Sequence, residues 1–385
     1  MIYIDVSQLS RFVRAGKQVS GIQRLTLNSF VGLTGLLGDG HVGGIVYDEA
    51  QAQFRRLSVT ELFGGGSGHH VQFSKNDKLL FMEWYWNQAV FEAGLKAGKT
   101  EGAHHFRFIH DVIPVARPEF VRRENTRRFK ANTELALHAA DVVLTNSDYS
   151  GQDILRHFPI AATKPLHVVK LPHEFSIVDG GGIVRPITRD TKIAAAELDA
   201  KVAALSGQNY VLMVGTLEER KNTLLAVKMW QRLCWKHGSN FPKLVLVGFY
   251  SAHSIPYTAS LMVRTATSRN IVHLSNCSDL ELAWLYQHCL FSLYISQYEG
   301  WGLPIGESLW FGKPVVAQNN SSLPEVGGPL VDQVGNGRLE QLEDACEKLN
   351  FDHRYRASRE ANIASQELRI WASFSKCLCR ALGEP

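Results

Sequence analysis

LYISQYEGWGLPIGESLWFGKPVVAQNNSSLPEVGG, Leu293 to Gly328, is the stretch on which the reading of this chain turns. A buried apolar run ends near Ile295 and gives way to a glycine-rich turn, Glu299-Gly300-Trp301-Gly302. Pro304 stands where the first position of a helix falls, which suits its fixed φ and missing N–H. A short helix is expected from Ile305 to Phe311, with Gly312 as its left-handed stop and Pro314 opening the next strand. Strand, turn, helix, strand leaves a helix N-terminus at the carboxyl edge of a parallel sheet. Free N–H groups and the positive dipole end favour an anion there, and ligands of open α/β sheets bind at that edge. Glu299, on the loop, and Glu307, placed in the first helical turn, are separated by seven residues. Two carboxylates facing a cleft can each accept a pair of hydroxyl hydrogen bonds, as sugar and ribose diols require, at about 1.5–3 kcal/mol per charge-assisted bond. The bland reading has Glu307 complementing the helix dipole and Glu299 solvated; the glycines and proline at these spacings speak against it.

Outward from this stretch, short apolar runs alternate with helix-period segments. The expected strands are Tyr3–Val6, Gly44–Tyr47, Lys78–Met82, Phe106–Ile109 and Val142–Thr145, then Tyr210–Val214, Lys243–Val247, Ile271–Leu274, Phe291–Ile295 and Pro314–Ala317. Brief Val/Ile/Leu/Phe runs followed by Gly, Asn, Ser or Asp read as buried parallel strands with crossover helices. VDGGGIVRPITRD, residues 178–190, marks the boundary, and a helix is expected from Lys192 to Leu205. The fold class is therefore α/β, with two Rossmann-like doubly wound domains. Residues 1–185 form the first and residues 186–369 the second. GGGSGHH, residues 64–70, reads as a flexible loop. A dinucleotide-binding dehydrogenase would carry GxGxxG after its first strand, and SQLSRFVRAGKQVSGIQR lacks it.

Bulk composition sets the class. The 385 residues carry a net charge of +4, with 45% hydrophobic and 20% charged residues. That is a soluble globular chain of two-domain size and argues against a nucleic-acid partner. The six cysteines show no metal-ligand spacing and read as buried thiols in a reducing compartment. MIYIDVSQLS places Asp5 inside the apolar run and reads as a first strand. No window approaches about 18 uninterrupted apolar residues. A cytoplasmic protein, peripheral on the inner face of the cell membrane, is expected.

The run SxxEGWGLPxxESLxxGKPVVA resembles the E-x7-E signature of family 4 retaining glycosyltransferases (GT-B fold), and the likeness extends over most of the chain. It implies two Rossmann-like domains facing a central cleft, with a last helix at about 370–385 packing back on the first. It also implies that Glu299 faces the donor sugar, Glu307 holds the ribose, and amides at Gly300, Gly302 and Leu303 approach the sugar and diphosphate. Ile295 stands where the family usually has proline, and Trp310-Phe311 where small residues are usual. VGTLEERKN, Val214 to Asn222, brings Gly215, Arg220 and Lys221 to a strand-to-helix junction. Adjacent cations there can clamp a diphosphate, although an isolated RK beside Glu218 and Glu219 is more often a solvated pair. The stretch looks like the family's phosphate-binding loop. RFIHDVIPVARPEF, Arg107 to Phe120, is similar to the HDxIP element of mannosyltransferase-like members, which puts His110 near the reacting sugar. Gly21-Ile22-Gln23-Arg24 resembles the small glycine loop near the donor phosphates. Backbone near Ser275 and Asn276 is expected to contact the nucleobase.

The resemblance implies a metal-independent hexosyltransferase acting with retention, needing no cofactor beyond its nucleotide-sugar substrate. The HDxIP element inclines the donor to GDP-mannose; UDP-, dTDP- or GDP-fucose-type donors, or a non-catalytic nucleotide-sugar-binding scaffold, remain alternatives. The acceptor is expected to be a saccharide or polyprenyl-diphosphate-linked glycan of bacterial surface-polysaccharide synthesis. Trp84, Tyr85 and Trp86 can stack an acceptor sugar or serve as core and edge aromatics equally well. In residues 117–130, Arg122, Arg123, Arg127 and Arg128 form a basic segment that attracts an anionic membrane surface, at about 1 kcal/mol per residue, or remains solvated.

Overall fold

Strands buried on both faces need side chains that are apolar at every position, and the second half of the chain supplies them. YVLMV (Tyr210–Val214) and KLVLV (Lys243–Val247) are buried almost throughout. The computed structural model describes residues 1–384 except 17–18, 20, 85–91, 93–94, 97–98, 100–101, 179–182, 239–240, 252–253 and 336. It divides into two packed units: Met1–Pro172 with Val178–Arg185 and Arg369–Pro385, and His173–Ile177 with Pro186–Leu368.

The first unit is built on an eight-stranded sheet. Its strands are β1 (Ile2–Asp5), β2 (Val42–Asp48), β3 (Gln53–Leu57), β4 (His69–His70), β5 (Lys78–Phe81), β6 (His104–Ile109), β7 (Val142–Thr145) and β8 (Leu166–Val168), in the order β4-β3-β2-β1-β5-β6-β7-β8. From β2 to β8 the pairing is parallel, whereas β3 and β4 add an antiparallel edge. Growth changes direction between β1 and β5, so the switch point lies there. Helix Trp371–Ala381 belongs to this unit and lies so close to helix Ile22–Leu37 that any side chain at Gly32 would collide with Ser375. Arg369 Nε donates to Leu171 O at 3.0 Å and Lys78 pairs with Glu384 at 2.6 Å, fixing the tail further.

Strands β9 (Ser176–Val178) and β10 (Val184–Pro186) lie where the chain passes between units. The second unit has six parallel strands: β11 (Tyr210–Val214), β12 (Lys243–Val247), β13 (Ile271–Leu274), β14 (Ser292–Tyr294), β15 (Val315–Gln318) and β16 (Asp332–Val334). Their order is β13-β12-β11-β14-β15-β16, a doubly wound arrangement with its switch point between β11 and β14. Trp230, fully buried on helix Thr223–His237, anchors the core on one face and donates its N–H to Pro242 O at 2.8 Å.

Three local expectations change. GGGSGHH is not a uniform loop: Gly65, at φ 72°, stops helix Val59–Gly64, and His69-His70 pair with β3 as an edge strand. The segment Lys192 to Leu205 forms a single 3-10 turn at Ala195–Glu197 and a short helix at Ala200–Ala203, because Asp199 caps a new start by accepting from Lys201 N–H at 2.9 Å. The helix after the glycine turn begins at Leu303, with Gly302 as N-cap, so Glu307 falls in its second turn. In the basic segment a 3-10 turn, Pro118–Phe120, precedes the α-helix Arg123–Ala139, which carries Arg123, Arg127 and Arg128.

Candidate functional site

The loops that leave the carboxyl ends of β11 and β14 meet at the second unit's switch point. After β11, Gly215 takes φ 139° and a 3-10 turn, Glu219–Lys221, presents Arg220 and Lys221. Asn222, left-handed at φ 57°, then starts the helix at Thr223. After β14 comes Ser296-Gln297-Tyr298-Glu299. Three hydrogen bonds join the two loops: Gln297 N–H to Arg220 O at 2.7 Å, Gln297 Nε2 to Glu219 O at 3.1 Å, and Asn222 Nδ2 to Ile295 O at 2.9 Å. Side chains of both cations are thereby aimed at one carboxylate.

Glu299 is 7% exposed and receives both. Arg220 Nη1 lies 2.7 Å from its Oε2, and Lys221 Nζ pairs with its Oε1. Tyr294 completes the cluster: its hydroxyl donates to Glu299 Oε1 at 3.0 Å and accepts from Lys221 Nζ at 2.8 Å. Glu218 holds the far side of Arg220 at 2.7 Å. Burial pushes the Glu299 carboxyl up, but Arg220 and Lys221 overcome it and hold the group at about 2. Burial lowers Lys221, against the pull of Glu299, and the Tyr294 phenol is raised well above its usual range by burial and by Glu299. Burying ion pairs contributes little net stability once desolvation is counted. Three charges gathered at a switch point are better explained by a ligand than by the fold.

The glycine turn is shaped by contacts that tolerate no larger residue. Gly302 sits at φ 128°, where a Cβ would lie 2.9 Å from Leu323 Cδ2. Gly248, at φ 145°, would carry its Cβ 2.1 Å from Gly215 O, so the loops after β11 and β12 touch backbone to backbone. Ser321, at φ 46°, accepts the Glu299 N–H at 3.0 Å, and the single Ser322 hydroxyl proton is shared between Glu299 O and Trp301 O, each 2.9 Å from Oγ. Glu307 stands apart from the cation cluster, accepting from the buried Tyr286 hydroxyl at 2.9 Å. Ser275 and Asn276 follow β13 and are exposed, while Gly300 and Leu303 flank the turn at the carboxyl edge of β14.

In the first unit, His110 follows β6 and lines a cavity of about 250 Å³ together with Trp84, Glu83, Asp111, Gln23 and Phe129. Its Nε2 is 2.6 Å from Met82 O, which can only accept, so Nε2 carries the proton and Nδ1 is the acceptor when the ring is neutral. Burial, aided by Arg107 and opposed by the Met82 bond, lowers His110 to about 4. Trp84 stacks on Phe129 with centroids 4.3 Å apart and lies under the Arg107 guanidinium. Gly21, at φ 54°, precedes helix Ile22–Leu37. Tyr85 and Trp86 lie outside the described residues. Arg122, Arg123, Arg127 and Arg128 are exposed at the start of their helix.

Sequence reasoning passed over four contributors. Tyr294 and Ser321 serve Glu299, and Tyr286 serves Glu307. Glu83 accepts from Gln8 N–H at 2.7 Å and Leu9 N–H at 2.9 Å, capping helix Ser7–Arg14. Burial and the neighbouring Asp5 raise its carboxyl well above the usual range. The polar run NNSS after β15 was the one signal that pointed towards Ser321.

Residues 195–357 match the family described as Glycosyl transferases group 1. Among curated proteins, the chain is 28% identical over 243 residues to "O-antigen chain mannosyltransferase B" of Escherichia coli, covering 61% of this chain and 60% of that protein. It is 25% identical over 341 residues to the "Serotype-specific mannosyltransferase WbdA" of Escherichia coli, covering 84% of this chain and 38% of that one. The chain thus spans less than two thirds of either relative. Among solved structures it is similar to Anabaena HepE in complex with UDP and glucose, at TM-score 0.65 and 15% identity over 100% of this chain and 99% of that one. The sucrose-phosphate synthase of Thermosynechococcus elongatus gives TM-score 0.67 at 14% identity over 98% and 97%. Residues 195–357 of this chain are a glycosyl transferases group 1 domain, and the chain carries the GT-B fold.

Proposed function

We propose that the protein is a retaining, metal-independent mannosyltransferase that moves mannose from GDP-mannose to a saccharide acceptor, polyprenyl-diphosphate-linked, in bacterial surface-polysaccharide synthesis. The observation that carries this reading is the convergence of Arg220 and Lys221 on Glu299 at the switch point of a glycosyl transferases group 1 domain. The curated names of the relatives, both mannosyltransferases, support the choice of sugar.

Arg220 and Lys221 neutralise the charge that develops on the departing nucleoside diphosphate; removing one such group typically costs about 3–4 kcal/mol of transition-state stabilisation. Glu299 takes a donor-sugar hydroxyl and Glu307 the ribose. The acceptor hydroxyl attacks from the face the diphosphate leaves, which retains configuration. Amides at Gly300, Gly302 and Leu303 approach the diphosphate, Gly21 and Gly215 lie beside it, and backbone at Ser275 and Asn276 receives the base. His110, neutral at physiological pH, offers Nδ1 as an acceptor to a sugar hydroxyl, and Trp84 borders the acceptor. Arg122, Arg123, Arg127 and Arg128 lie against the anionic inner face of the membrane.

The test is incubation with GDP-mannose, UDP-glucose, dTDP-rhamnose and GDP-fucose, each with extracted polyprenyl-diphosphate-linked oligosaccharides, with and without excess EDTA. Transfer of mannose to an α-glycoside, undiminished by EDTA, is expected. GDP release without a glycoside, an inverted anomer, or activity lost in EDTA and restored by Mn²⁺ contradicts the corresponding element.

A further inference from the structure

Between Glu219 and Asp279 the chain has no acidic residue over 59 positions, Arg220 to Ser278, while it carries eight Lys or Arg. At the chain's average of 37 acids in 385 residues, that length would hold about six. The segment builds two neighbouring surface helices of the second unit, Thr223–His237 and Ile255–Thr267, joined by Arg264 Nη1 donating to Gln231 Oε1 at 2.9 Å.

The outer face of Ile255–Thr267 is apolar where a surface helix is normally charged. Ile255 is 77% exposed, Val263 62% and Met262 49%. Pro256, Ala259 and Ala266 are exposed between and beyond them. These positions recur at helical spacing and form one stripe along 13 residues, about 20 Å at 1.5 Å per residue. On the adjoining helix, Trp235 is 90% exposed, one turn beyond Gln231 and so on the ridge beside the seam. Exposed Lys228 and Arg269 flank the stripe, and neither makes an ion pair among the described residues. Glu218 and the exposed Glu219 lie beside Tyr257 at the start of helix Ile255–Thr267, and Glu343 and Glu347 of helix Leu339–Phe351 pair with Arg232 and Lys236.

Continuous exposed apolar surface marks a docking face, and its charge selects the occupant. A second copy docked on the same face would bring like charges together. A nucleic acid supplies the anions but no home for Ile255, Met262 and Val263. An anionic phospholipid surface satisfies both: aliphatic side chains and an indole enter the headgroup–acyl boundary while Lys and Arg meet the phosphates. We propose that helix Ile255–Thr267, with Trp235, is a lipid-contacting face of the second unit. It extends the membrane element of the proposed function but stands on residues separate from the Arg122–Arg128 segment and from the sugar-transfer site.

The test uses the full chain and floated vesicles of phosphatidylcholine alone or with 30% phosphatidylglycerol. Binding to the anionic vesicles is expected to fall at least tenfold in the double variant Ile255→Glu/Val263→Glu and severalfold in Trp235→Ala, all at exposed positions outside the core. GDP affinity is expected to stay at the wild-type value, which separates this inference from the reading of the sugar-transfer site. Reversal of Arg122, Arg123, Arg127 and Arg128 to Glu should leave a residual bound fraction that the double variant then removes. Unchanged vesicle binding by Ile255→Glu/Val263→Glu, no binding by the wild type, or a wild-type dimer in light scattering that the double variant dissociates would each overturn the inference.

Discussion

Replacing Glu299 by Gln separates two effects that most substitutions at this site would confound. The carboxylate holds Arg220 and Lys221 through two ion pairs, so an arriving diphosphate must compete with it. Burial raises the Glu299 carboxyl, the two cations lower it, and the outcome is about 2 against an ordinary 4.5. A shift of that size corresponds to about 3 kcal/mol in favour of the ionised group. This is the upper limit of what a diphosphate gains when the competitor is removed. At about 1.4 kcal/mol per decade, GDP is expected to bind Glu299→Gln about 10- to 100-fold more tightly than the wild type at pH 7.5. Turnover moves the other way, because the charge-assisted bond to the sugar hydroxyl, about 1.5–3 kcal/mol, is lost. Titration calorimetry with GDP and a steady-state transfer assay on the same preparations give both numbers. Weaker or unchanged GDP binding refutes the competition argument, since the cations would then be serving something other than the diphosphate.

Lys221→Ala should lower kcat by about 10²–10³ while changing GDP affinity much less, and parallel losses in both would mean that Lys221 only binds. Gly248→Ala places a Cβ 2.1 Å from Gly215 O at φ 145°, so a stability loss of about 3 kcal/mol or more in denaturant unfolding and weakened nucleotide binding are expected; wild-type stability would contradict the backbone contact. His110 titrates at about 4 in the folded chain because burial opposes its charge, against an ordinary 6.5. The unfolded chain therefore takes the proton first, and stability is lost as pH falls from about 6.5 towards 4. Compared with His110→Asn, which keeps an N–H for Met82 O, the wild type should lose about 2 kcal/mol more between pH 7 and pH 5. Equal losses would show that His110 is freely protonated.

The parts of this molecule that were legible in the sequence are those set by local chemistry. Apolar runs such as YVLMV and KLVLV announce buried strands, and Gly302, Pro304 and Gly312 punctuate the helix between β14 and β15 within a residue or two. Contacts made by distant residues were illegible. Nothing near Glu299 in sequence says that Arg220, 79 positions earlier, reaches it through a loop stitched by Gln297 and Asn222. Tyr294 reads as one more strand aromatic until its hydroxyl is found between Lys221 and Glu299. His69-His70 carries no strand pattern of its own and becomes one by pairing with β3. The helix expected over Lys192 to Leu205 failed for the opposite reason: its periodicity was sound, but Asp199 offered a stronger local start.

A crystal structure of the protein with GDP-mannose, or with GDP and mannose, tests the central claim most directly. The account predicts diphosphate oxygens within hydrogen-bond distance of Lys221 Nζ and the Arg220 guanidinium, the sugar hydroxyls against Glu299 and the ribose against Glu307. A nucleotide bound elsewhere, with Arg220 and Lys221 still closed on Glu299, would contradict it.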